Sequence, residues 1–106
     1  MSFKWPPKDP DSKVKHFVDW SRYLGSETIS AVAWFVDDAD GVKTSVSAAT
    51  TVNGLTFDGG TNTNTVAVAT FSAGTNNTSY TVTCRITFGN DSNIEERQIR
   101  LQVREQ

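Results

Sequence analysis

The segment Tyr80-Thr81-Val82-Thr83-Cys84-Arg85-Ile86-Thr87-Phe88 alternates large apolar side chains with polar ones over nine residues without a break. Successive side chains of a strand point to opposite faces, so this period of two puts Tyr80, Val82, Cys84, Ile86 and Phe88 together in a core and leaves Thr81, Thr83, Arg85 and Thr87 on a wetter face. Gly89-Asn90-Asp91 closes a hairpin. A last strand then sets Ile99, Leu101 and Val103 inward against Gln98, Arg100, Gln102 and Arg104 outward.

The rest of the chain follows the same habit. Ile29 to Val36 is apolar, with branched and aromatic residues, and ends at Asp37-Asp38-Ala39-Asp40-Gly41, where Gly41 accepts a positive φ. Val42 to Ala48 continues as the returning strand, and a weaker run spans Thr51 to Phe57. Asp58-Gly59-Gly60-Thr61-Asn62-Thr63-Asn64 reads as a loop, Thr65 to Ser72 as a strand of Val, Ala and Thr, and Ala73 to Asn77 as a turn. Residues 14–20 are read as a strand because Val14, His16, Val18 and Trp20 alternate, with a turn or short helical bend from Ser21 to Gly25; one irregular helix over these residues is the alternative. Residues 1–13 form an extended arm, because Pro6, Pro7 and Pro10 remove backbone donors and fix φ.

About seven short strands, spaced roughly ten residues apart and joined by Gly, Asn and Asp turns, make this an all-β chain. The expected fold is an immunoglobulin-like β-sandwich over 14–106. Its core is expected to hold Trp20, Trp34, Tyr80, Val82, Cys84, Ile86, Phe88, Ile99, Leu101 and Val103, with Tyr80 placed to act as a tyrosine corner.

Chemistry is harder to find. The 106 residues carry ten basic and twelve acidic side chains, a formal net charge of -2 that gathers neither nucleic acid nor anionic lipid. Cys84 is the sole cysteine, so no internal disulfide forms, which fits folding in reducing cytoplasm. The opening residues are too polar, and too soon broken by proline, for a signal peptide, and no apolar run reaches membrane-spanning length. His16, the sole histidine, is expected to be a partly exposed strand residue with no second ligand or acid–base partner near it in sequence. Cys84 is expected to be a buried thiol acting as a small hydrophobe. Asp37, Asp38 and Asp40 match part of a calcium-loop pattern that lacks its closing glutamate, so a solvated hairpin turn is expected there. The sequence therefore predicts no catalytic, cofactor or metal site, and an interaction or structural role instead.

Phe17-Val18-Asp19-Trp20-Ser21-Arg22-Tyr23-Leu24-Gly25-Ser26-Glu27-Thr28-Ile29, with Lys8-Asp9-Pro10-Asp11 before it and Trp34 and Tyr80-Thr81-Val82-Thr83 after it, resembles small bacteriophage virion proteins of the fiber–tail adaptor or neck-associated group. The resemblance implies an immunoglobulin-like fold and a structural protein of the virion, made in the host cytoplasm and present in several symmetry-related copies. Its partners would be other virion proteins: tail tube, portal or connector, fiber or capsid. A capsid decoration or cement protein is the first alternative, and a glycan- or host-surface-binding module the second. The expected contact residues are Phe3, Trp5, Pro6 and Pro7 on the arm, Asp38 and Asp40 in one loop, and Asn62 in another.

Overall fold

The computed structural model describes residues 2–105, with side chains from Lys4 onward. Nine strands and one helical turn follow the order β1 Ser2–Lys4, β2 Lys13–Asp19, α1 Ser21–Leu24, β3 Ile29–Asp37, β4 Lys43–Val46, β5 Thr50–Val52, β6 Leu55–Asn62, β7 Val66–Ala73, β8 Thr78–Phe88 and β9 Asn93–Val103. They form a β-sandwich of two sheets, ordered β1-β9-β8-β3-β4 and β2-β7-β6-β5. All pairings between neighbouring strands are antiparallel except that of β1 with β9. No helix among the described residues is long and apolar enough to cross a membrane.

The alternating segment is the central strand β8, paired along its whole length with β9, so that Tyr80 lies opposite Leu101, Val82 opposite Ile99 and Phe88 opposite Asn93. The inward residues of β3, β8 and β9 meet those of β2, β6 and β7. Trp20, Trp34, Tyr80, Val82, Cys84, Ile86, Phe88, Ile99, Leu101 and Val103 are all buried, together with Leu55, Phe57 and Phe71. Four aromatic rings run through the layer from Trp5 to Phe71 (6.1 Å), Phe71 to Phe57 (5.6 Å) and Phe57 to Trp34 (6.4 Å). Residues 13–19 are a strand, and the helical alternative fails because Trp20 donates its N–H to the Thr65 carbonyl at 2.8 Å. The chain then makes a single helical turn. The Asp19 carboxylate accepts the Ser21 N–H, and Gly25, at φ 61°, ends the turn.

Four expectations need correction. The stretch from Asp58 to Asn62 is strand, not loop: β6 pairs with β7 out to Asn62 opposite Ala67. A bulge between Phe57 and Gly59 absorbs one residue, with Gly59 at φ 123°. A Cβ at Gly60 would lie 2.8 Å from Trp34 Nε1, so this glycine serves a close approach between sheets rather than a loop. Second, Thr51 to Phe57 is not one strand but the hairpin β5–β6, turning at Asn53 and Gly54 (φ 48° and 89°). These changes and the short β1 raise the count from about seven strands to nine. Third, the arm does not stand apart from the domain. Ser2, Phe3 and Lys4 pair with Gln98, Ile99 and Arg100, Trp5 donates its N–H to Arg100, and Lys8 and Arg104 bond main chain to main chain. Trp5 is itself a core residue. Fourth, His16 is not partly exposed. It lies 5% exposed with its ring 4.6 Å from that of Trp5 and 5.7 Å from that of Phe71.

Candidate interaction surface

The residues expected to make contacts fall in three separate places. Backbone pairing of Phe3 with Ile99 is on the edge of the larger sheet, while its side chain lies outside the described residues. Trp5 is turned inward, 8% exposed. Its indole Nε1 donates to the Phe17 carbonyl at 3.0 Å and ties the arm to β2. Pro6 is exposed and Pro7 half-buried beside it. Asp38 closes the β3–β4 hairpin on itself, one carboxylate oxygen accepting the Asp40 and Val42 N–H groups at 2.9 Å each. That is an aspartate-stabilised turn, and it gives the Asp38 carboxylate its role. Asn62 is exposed at the end of β6 far from Asn53, with its amide donating to the Thr63 carbonyl.

Other exposed side chains cluster better. On β2, His16 and Val18 face the core, which turns Phe17 outward, 58% exposed, while Val14 remains 39% exposed. Between this strand and the arm lies a groove of about 300 Å3, lined by Trp5, Pro6, Pro7, Val14 and Phe17 with Lys8 and Lys15. Lys8 is nearly buried, and its ammonium donates to the carbonyls of Asp9 and Ala73 at 2.8 and 2.6 Å. Burial pulls its pKa below the ordinary lysine value, while Asp9, Asp11 and Asp58 work the other way. The face of the opposite sheet is charged. The Phe35 ring sits under Lys43 and Arg85, and both cations reach Glu96, with Arg85 Nε 2.6 Å from its carboxylate. Lys43 and Arg85 are thus paired with Glu96 on that face.

Burial pushes the Cys84 thiol up to about 12, so it stays protonated at neutral pH and is no nucleophile. Burial lowers His16 to about 4, so its ring is neutral. Among the described residues, no group of three or more His, Cys, Asp or Glu side chains is placed to hold a metal ion.

A family model described as podophage GP4 fiber-tail adaptor protein gp77 matches residues 8–102. The chain belongs to that family. The match begins at the buried Lys8 and ends one residue before the end of β9, so it takes in β2 to β8 and nearly all of β9 but leaves β1 and Trp5 outside. No curated protein matches the chain. For this adaptor-family chain the exposed apolar residues of β2 were within reach of sequence reasoning. Once His16, Val18 and Trp20 are set inward, Phe17 has to be an aromatic on the wet side.

Proposed function

We propose that the chain is a non-enzymatic component of the phage particle, an immunoglobulin-like adaptor that joins fiber to tail through protein–protein contacts. The observation that carries this reading is the family match across residues 8–102. The immunoglobulin-like reading draws support from strand order. Sheet neighbours β9-β8-β3 and β2-β7-β6 follow the G-F-C and B-E-D arrangement of that fold, with β4 extending the first sheet. Trp34 is the buried tryptophan of the C-like strand, and the Tyr80 hydroxyl donates to the Asn53 carbonyl at 2.7 Å while accepting the Thr75 N–H at 2.9 Å. That is the hydrogen bonding of a tyrosine corner; Val82 stands where the disulfide cysteine of antibody domains would follow. The burial of all three tryptophans removes the flat indole platforms that a sugar-binding edge would present, which favours a protein partner over a glycan.

The test is assembly without the chain. Particles grown from a phage lacking this gene should keep head and tail tube but lose their fibers in electron micrographs. Wild-type particles should contain on the order of one or two dozen copies by quantitative mass spectrometry, the number that low-symmetry rings supply. Retained fibers, or hundreds of copies per particle, would overturn the adaptor reading, the latter in favour of capsid decoration.

A further inference from the structure

Successive residues of β2 aim their backbones in opposite directions. Trp20 donates toward the β7 side, to Thr65, whereas the carbonyls of Phe17 and Asp19 accept from the side chains of Trp5 and Arg97. In an antiparallel ladder the N–H and C=O of one residue point the same way and those of its neighbours the other way. The even-numbered residues therefore bond to β7, and Lys13, Lys15, Phe17 and Asp19 present their main chains at the open edge of the smaller sheet. Side chains cap the carbonyls of Phe17 and Asp19. Among the described residues, the N–H and carbonyl of Lys15 and the N–H of Phe17 have no partner.

The arm passes close by and does not close this edge. Pro6 and Pro7 carry no N–H to donate, and Trp5 reaches β2 with a side chain only. What remains is an extended slot, walled by Trp5, Pro6 and Pro7 on one side and by Val14 and Phe17 on the other. Its charge selects among occupants. Lys13 and Lys15 are exposed on the edge, and among the described residues neither has an ion-pair partner. A second copy docked antiparallel over the open Lys13–Phe17 stretch, centred on Lys15, would set that lysine against its own copy, which disfavours self-pairing there. A segment bearing carboxylates meets the opposite situation.

We infer that the β2 edge from Lys13 to Phe17 is a strand-addition site for an extended segment of another virion protein, one that carries acidic and apolar residues. The inference rests on the adaptor reading above. The incoming main chain pairs with Lys15 and the Phe17 N–H, an apolar side chain enters the slot over Pro6 and Pro7, and carboxylates meet Lys13 and Lys15. Main-chain bonds supply the docking and the lysines supply the choice of partner.

The experiment complements the gene-deleted phage with variants. A photoreactive phenylalanine analogue replaces Phe17 in one strain and the exposed Gln98, on the opposite sheet, in another. Cross-links from position 17 should map to one short Asp- or Glu-containing segment of a different virion protein. Lys15→Pro removes an edge N–H that β7 does not use, and Lys15→Glu reverses the charge. Each should lower incorporation into particles at least tenfold while the isolated chain melts as the wild type does. Lys15→Glu keeps every backbone donor, so it decides the matter if Lys15→Pro folds poorly. Wild-type incorporation of Lys15→Glu, or cross-links from position 98 alone, would overturn the edge site and leave the adaptor reading standing. Absence of the wild-type chain from particles would overturn both.

Discussion

Acid should loosen this domain through one histidine. His16 sits between Trp5 and Phe71, and its Nδ1 is buried with no hydrogen-bond partner. Burial is the main cause that lowers its pKa from 6.5 to about 4; the Lys8 charge adds to the shift and the Val14 backbone opposes it. A group whose folded pKa is depressed binds fewer protons in the folded state than in the unfolded one between those two values, so stability falls as pH falls through that window. The contribution is complete above 6.5 and gone by about 4. At 1.36 kcal/mol per pKa unit the whole shift is worth about 3 kcal/mol, of which about 2 kcal/mol is lost between pH 7 and pH 5. These are upper figures, since undocking of the arm lets water reach the charged ring. Urea unfolding followed by tryptophan fluorescence at pH 7, 6 and 5 measures the loss. His16→Phe keeps the aromatic contacts and removes the proton, so its stability should change much less over the same range. Asp19 and Glu96 stay out of the window, held below the usual carboxylate range by the Ser21 N–H and by Arg85 respectively. Parallel pH profiles for wild type and His16→Phe would refute the reasoning.

Three further outcomes are expected. Tyr80→Phe removes the hydroxyl that serves both the Asn53 carbonyl and the Thr75 N–H, and should cost about 1–3 kcal/mol in urea unfolding. Trp5→Ala should cost about 3–5 kcal/mol, because the indole is core; an unchanged melting temperature would mean that the arm is not docked in solution. Gly60→Ala forces a Cβ to within 2.8 Å of Trp34 Nε1 and 2.9 Å of the Val68 carbonyl, and should cost about 1–3 kcal/mol by thermal unfolding.

The strands whose sequences carry one buried face were legible in their apolar residues, although Thr83, expected on the wetter face of β8, is buried. β8 and β9 alternate because one face packs and the other is wet, and the resulting parity places Tyr80, Ile99 and Leu101 correctly. β6 defeats the same reasoning. Its last residues, Asp58-Gly59-Gly60-Thr61-Asn62, have turn composition, yet Gly59 to Asn62 pair with β7, and the missing Cβ of Gly60 leaves room for Trp34. Glycine reports a need for space or for positive φ, and composition alone does not say which. The hairpin at Asn53-Gly54 is the reverse case, a strong local turn signal that divides Thr51 to Phe57 into two strands.

The arm shows where local reasoning stops and why the site depends on it. Prolines predict an extended chain; Ser2–Lys4 pair as a strand and the backbone turns between Asp9 and Ser12, but nothing within residues 1–13 specifies what Trp5 will pack against. That is set by His16 and Phe71, eleven and sixty-six residues further on. Sequence made Trp5 a hook for a neighbour, whereas the fold uses it as a plug in its own core. The consequence runs beyond a single side chain. A Trp5 that reached outward would leave the arm tied to β9 alone and the Phe17 carbonyl open; turned inward, it fixes Pro6 and Pro7 beside β2 and caps one end of the edge. The contact surface thus passes from the aromatic that looked sticky to the strand beside it, whose exposed Phe17 and unpaired main chain follow from strand parity and from the donors that proline lacks.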